Sequence, residues 1–145
     1  LDAWSGDERK QVQIRRRFML LGQTLDGMRV WNVRRAVQAL NHIAAIEGLP
    51  VMLTARGNMA GIALYASLFE PSVERLDLSE LPSTHRDGPT FLNVLRYLDM
   101  PQAVAMAAER APVVLHRADA SPWAFPQSVA DNLGWPDGRF RVAAP

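Results

Sequence analysis

The run Val51-Met52-Leu53-Thr54-Ala55, followed after Arg56 by Gly57-Asn58-Met59-Ala60-Gly61, decides the fold class of this chain. A short apolar run set off by Pro50 has the length of a strand and the composition of one buried on both faces. Beyond Gly57 the pattern changes, and a helix is expected from Asn58 to Phe69. A strand that feeds directly into a helix is half of a parallel crossover, because parallel neighbours need a connection long enough to hold one.

The same alternation continues outward in both directions. Downstream, Val73 to Leu78 reads as strand, Thr90 to Leu98 and Pro101 to Arg110 as helices, and Val113 to His116 as strand. Pro126 to Leu133 then reads as a helix closed by Gly134, with Arg139 to Val142 as a last strand. Upstream, Gly48 and Pro50 close the clearest amphipathic helix, in which Val30, Val33, Val37, Leu40 and Ala44 recur at steps of three and four. Gly22 and Gly27 bracket a turn before it. A first helix is expected from about Asp7 to Leu21, introduced by the capping-box spacing of Ser5-Gly6-Asp7-Glu8. Strands alternating with helices predict an α/β fold, a three-layer α/β/α arrangement with a mostly parallel sheet of about four strands. No linker or repeat interrupts the pattern, so residues 1–145 are read as a single structural unit.

Composition narrows the function classes. The chain has 145 residues, 48% of them hydrophobic and 21% charged, the profile of one soluble globular domain. Sixteen basic residues against 15 acidic ones leave a net charge of +1, so no global field draws the chain to nucleic acid or to an anionic membrane. No apolar run approaches the ~20 residues of a membrane-spanning helix. Leu1-Asp2-Ala3-Trp4 has neither the basic start nor the apolar stretch of a signal peptide, and the compartment stays open. With no cysteine, thiol catalysis and thiolate metal sites are excluded. The three histidines show no ligand-spaced pair, so neither a metal nor a cofactor is expected.

The glycines of Gly57-Asn58-Met59-Ala60-Gly61 match the frame of the G-x-S-x-G nucleophile elbow, in which a strained turn presents the central side chain. Here the central residue is Met59. A thioether has no proton to lose and cannot attack a carbonyl, so this frame lacks its nucleophile. The stretch Leu21-Gly22-Gln23-Thr24-Leu25-Asp26-Gly27-Met28-Arg29-Val30-Trp31-Asn32-Val33-Arg34-Arg35-Ala36 resembles the segment of acetylxylan-esterase-type α/β-hydrolases that leads into the helix before the nucleophile strand. Leu81-Pro82-Ser83-Thr84-His85 continues in the family's order. The resemblance covers Arg15 to Val142 and corresponds to the carboxyl-terminal portion of that fold.

What the resemblance implies is a serine esterase acting on acylated carbohydrate, secreted or periplasmic in its relatives, with this chain departing at its centre. Met59 stands at the degenerate nucleophile position. Asp119, just beyond Val113 to His116, matches the catalytic acid, with Asp87 as a second possibility. No histidine follows the last strand, so the general base is missing as well. His85 is a further catalytic candidate, although a loop histidine bonding backbone is its plainer role. Asn58, Ala60 and Trp123 are candidate ligand-binding residues. For Trp123 stacking on a sugar competes with packing against the sheet. The expectation is a catalytically inactive hydrolase-like domain, and the alternative is a non-catalytic carbohydrate-binding or protein-interaction module. In the family's sheet Val51 to Ala55 has a neighbour on each side. Here one is missing, so a second copy or an upstream segment is expected to cover that edge.

Overall fold

The computed structural model describes residues 7–143. Strands β1 (Val51–Arg56), β2 (Val73–Ser79), β3 (Val113–His116) and β4 (Phe140–Ala143) form one sheet in the order β1-β2-β3-β4, and every pair is parallel. Helices α3 (Asn58–Ser67), α4 (Met100–Arg110) and α5 (Ala124–Leu133) fill the three crossovers, and α1 (Glu8–Leu20) and α2 (Leu25–Leu40) precede the sheet. The α/β class and the parallel sheet are those expected from the sequence.

Sequential parallel neighbours joined by crossovers of one hand put every crossover helix on the same face. Accordingly α2 packs on α3, α3 on α4 and α4 on α5, a single layer that follows the order of the strands. The register lines up Leu53, Leu76, Val113 and Phe140 in one row and Ala55, Leu78, Leu115 and Val142 in the next. These rows belong to one core with Leu64, Met100 and Val104, and Leu76, Leu78, Val113 and Leu115 are fully enclosed. Each such side chain contributes about 2 kcal/mol by leaving water. The other face carries Thr54, Asp77, Val114 and Arg141 in one row and Arg56, Ser79, His116 and Ala143 in the next. Of the three layers expected, the described residues supply the sheet and one helical layer.

This arrangement corrects the reading of β1 as a doubly buried strand. Its residues alternate between half-buried and exposed, and Met52 is 57% exposed. The cause is position: β1 is an edge strand with one covered face, so only Val51, Leu53 and Ala55 reach the core.

Helix boundaries shift where a polar side chain settles them. Asp7 is the N-cap of α1, its carboxylate accepting from the Lys10 amide at 2.9 Å; Ser5 lies outside the described residues. Helix α2 begins ahead of Val30 because Thr24 caps it, accepting from Gly27 N at 2.9 Å, so Gly27 lies inside the first turn. It stops at Leu40, short of Ala44, where the Asn41 amide donates to Ser72 Oγ at 3.0 Å. Buried Glu70 clasps α2 to the end of α3, accepting from Arg34 Nε and Gln38 Nε2, both at 2.8 Å.

The helix expected over Thr90 to Leu98 is reduced to one 3₁₀ turn, Val94–Arg96. Asn93 sits in the left-handed region at φ 57°, and the Thr90 amide donates to Asp26 Oδ2 at 2.8 Å instead of entering a helix. Phe91 meanwhile packs on Tyr65, with ring centroids 4.6 Å apart. Tertiary contacts override the local periodicity here.

Candidate functional site at the carboxyl end of the sheet

In an open parallel sheet, loops at the carboxyl ends of the strands are where ligands bind. Strand β1 ends at Arg56, α3 begins at Asn58, and Gly57 alone makes the joint, with φ 59° and ψ −133°. Its N–H donates to Ser79 O at 2.9 Å and its carbonyl accepts from Ala60 N at 3.0 Å. A residue with a side chain adopts this backbone region only under strain, so glycine is favoured at the apex.

The strained residue of the strand-to-helix turn is therefore Gly57, two positions before Met59. Met59 lies inside the first turn of α3 with its side chain 44% exposed. The Gly57-to-Gly61 spacing has a different origin: a Cβ on Gly61 would lie 2.7 Å from Pro89 Cγ and 2.8 Å from Met100 Cε. Gly61 is small because α3 runs against the Pro89 loop. At Gly57 a Cβ meets nothing within 4 Å. Gly57→Ala is accordingly expected to cost about 1–3 kcal/mol from backbone conformation alone, with the native circular dichroism spectrum retained. Urea denaturation measures it.

The other candidates are not assembled into a triad. His85 is 7% exposed, with both ring nitrogens engaged: Nδ1 lies 2.8 Å from Pro89 O and Nε2 lies 2.7 Å from the Tyr65 hydroxyl. A carbonyl only accepts, so Nδ1 carries the proton and Nε2 accepts from Tyr65. Burial, reinforced by the charge of Asp99, pushes the Tyr65 hydroxyl up from its ordinary pKa and keeps it a donor. No ring nitrogen of His85 is left to take a proton from a nucleophile. Asp119 is exposed beyond β3. Ala60 is fully buried, its N–H on Gly57 O, and offers a ligand no side-chain surface. Trp123, at the end of the 3₁₀ turn Ser121–Trp123, is 2% exposed and belongs to the core, so it presents no face on which a sugar could stack.

Asn58 alone among the candidate ligand residues faces a recess. A cavity of ≈ 490 Å³ is lined by Ile14, Asp26, Asn32, Asn58, Asp87 and Thr90 among others. Asp26 organises its wall. Its carboxylate accepts from Arg29 Nη1 at 3.0 Å, from Thr90 N at 2.8 Å and from Asn58 Nδ2 at 3.4 Å, tying the start of α2 to α3 and to the loop after β2. Asp26 lies within the Gly22 to Ala36 stretch, where no motif assigns it a role. Only its position at a helix start hinted at one.

Charge at the strand ends is paired. Glu80 accepts from Arg56 Nε at 2.7 Å and Nη2 at 2.8 Å, which holds its carboxyl below the ordinary value. Asp77 accepts from Arg75 Nε at 2.6 Å and from His116 Nε2 at 2.9 Å, and the Arg75 hydrogen bond leads in bringing its pKa down from 3.8 to about 2. A carboxyl depressed by folding stabilises the protein above its unfolded value, and that contribution is lost as pH falls from about 4 towards 2. Asp77→Asn is expected to flatten that part of the acid-denaturation profile. Thermal melts across the range measure the difference.

Among the described residues no group of three or more His, Asp or Glu side chains is placed to hold a metal ion. No helix among them is long and apolar enough to cross a membrane. Fold and site together define an α/β domain with a parallel sheet and an empty strand-to-helix apex. Comparison with family models, with curated proteins and with solved structures finds no match to this chain.

Proposed function

We propose that this chain is an α/β-hydrolase-like domain, related to carbohydrate acetyl esterases, that performs no ester hydrolysis. The observation that carries the reading is Gly57. It occupies the sharp joint between a parallel strand and a helix where such enzymes present a serine, and it has no side chain to attack with. The Gly22 to Ala36 stretch and the order of elements around the sheet support the kinship. His85 does not stand in as a base, since both its nitrogens are committed to Tyr65 and Pro89. Asp119 would be the surviving acid position, and an acid without base and nucleophile does no acyl transfer. The test is incubation with a serine-directed fluorophosphonate followed by intact-mass measurement. An unshifted mass is expected, and a stoichiometric adduct overturns the reading.

The cavity favours a second reading, a non-catalytic carbohydrate-binding module. Asp26, Asn32, Asn58 and Asp87 offer planar polar groups suited to paired hydroxyls, beside the apolar side of Ile14. Titration with an acetylated xylan oligosaccharide tests it. Saturable binding that is lost in Asn58→Ala supports it, and the absence of heat at millimolar ligand removes it.

A further inference from the structure

We propose that carbohydrate bound in the cavity extends beyond it along α2, onto a second subsite in which a pyranose ring stacks on Trp31. The inference rests on the carbohydrate-binding reading of that cavity and adds the length of ligand it takes. A second recess of ≈ 560 Å³ shares Thr24, Met28 and Asn32 with the first, so the two adjoin along the start of α2. Its wall further includes Gln23, Trp31 and Phe91.

Trp31 is 54% exposed, yet its ring is held in place. The Arg35 guanidinium, one turn further along α2, lies over the indole at 4.9 Å from its centroid, a cation–π contact. Arg35 Nη1 donates to Gln38 Oε1 at 3.0 Å, and Gln38 Nε2 donates in turn to buried Glu70 at 2.8 Å. An exposed aromatic ring is thereby anchored to a buried carboxylate at the end of α3. A platform oriented before its ligand arrives loses little freedom on binding. Arg35 covers one face of the indole, and the ligand takes the other.

The lining selects a neutral sugar. None of the described residues around the second recess is charged, and its polar side chains are the exposed amides of Gln23 and Asn32 and the Thr24 hydroxyl. In the first cavity Asp26 and Asp87 balance Arg15 and Arg29, which leaves no net charge to draw in an anion. An acyl chain would cover the amides without pairing them. A pyranose meets both demands, since its C–H face packs on the indole and its hydroxyls donate to and accept from amides. Asn32 borders both recesses and serves the junction between neighbouring rings.

Isothermal titration of the 145-residue chain with an acetylated xylo-disaccharide and with the corresponding pentasaccharide is the test. The longer ligand is expected to bind about tenfold more tightly, the gain from one stacked ring. Trp31→Ala is expected to keep the parent's melt and its disaccharide affinity, and to bring the pentasaccharide down to that affinity. Equal affinities in the parent, a length gain that survives Trp31→Ala, or an equal loss for both ligands overturns the subsite and leaves the cavity reading standing. Absence of binding by either ligand overturns both. ATP is expected to give no heat, and ATP binding abolished by Trp31→Ala assigns the platform to nucleotides and overturns the proposal.

Discussion

Trp123→Ala is expected to cost about 3–5 kcal/mol of folding free energy, the range for emptying a fully enclosed aromatic site. Trp123 is 2% exposed at the end of a 3₁₀ turn, in the cluster that holds Leu115 and Phe140 of the sheet. Removing the indole leaves a cavity that the sheet cannot collapse to fill, because β3 and β4 are fixed by their ladder. Typical domain stability is about 5–15 kcal/mol, so the loss takes a large share of it. The same substitution bears on recognition: any effect on carbohydrate binding would follow from lost structure and not from a lost stacking face. Urea denaturation of parent and variant, monitored by fluorescence of the remaining tryptophans, measures the cost.

Asp99→Ala is expected to cost about 3 kcal/mol, combining a lost helix cap with two further hydrogen bonds. One carboxylate caps α4 through Met100 N at 2.8 Å and accepts from His85 N and Thr84 Oγ1, both at 2.7 Å. Gln102 completes the capping box by accepting from Asp99 N at 3.0 Å. The carboxylate thus ties the loop after β2 to the start of α4 and holds the His85 ring beneath Phe91 and Tyr65. Burial works against its charge, yet the hydrogen bonds from Thr84, His85 and Met100 outweigh it and depress the pKa. Its contribution is therefore present above the unfolded value and fades as pH falls through the folded one. Asp99→Asn keeps part of the network and is expected to cost less and to remove this acid dependence. Guanidinium titrations at neutral and acid pH separate the two variants.

The parallel sheet is legible because β1 and β3 announce themselves as short apolar runs followed by helix signals, as at Val113 to His116 before Pro126. The segment from Thr90 to Leu98 is not, because what unwinds it is a contact with Asp26, far away in sequence, and no local pattern encodes that. The apex of the turn is hidden in the sequence for another reason. Two glycines four apart fit the elbow frame, and that spacing centres on Met59. The informative signal was that the strand runs on through Arg56, which makes Gly57 the first residue after it and the one needing a positive φ. Gly61 owes its identity to the closeness of Pro89, a packing fact outside the motif. For His85 and Trp123 the plainer readings, a backbone-bonded loop histidine and a core tryptophan, describe where the structure puts them.

The central claim is that the apex between β1 and α3 carries no nucleophilic side chain and that His85, with both ring nitrogens engaged, does not serve it as a base. Hydrolysis of an aryl acetate by the parent chain and by Gly57→Ser tests it most directly. Both are expected at the buffer rate, because a hydroxyl restored at the apex still finds both His85 nitrogens engaged. Saturable turnover by the parent chain, abolished by a serine-directed phosphonate, would contradict the account.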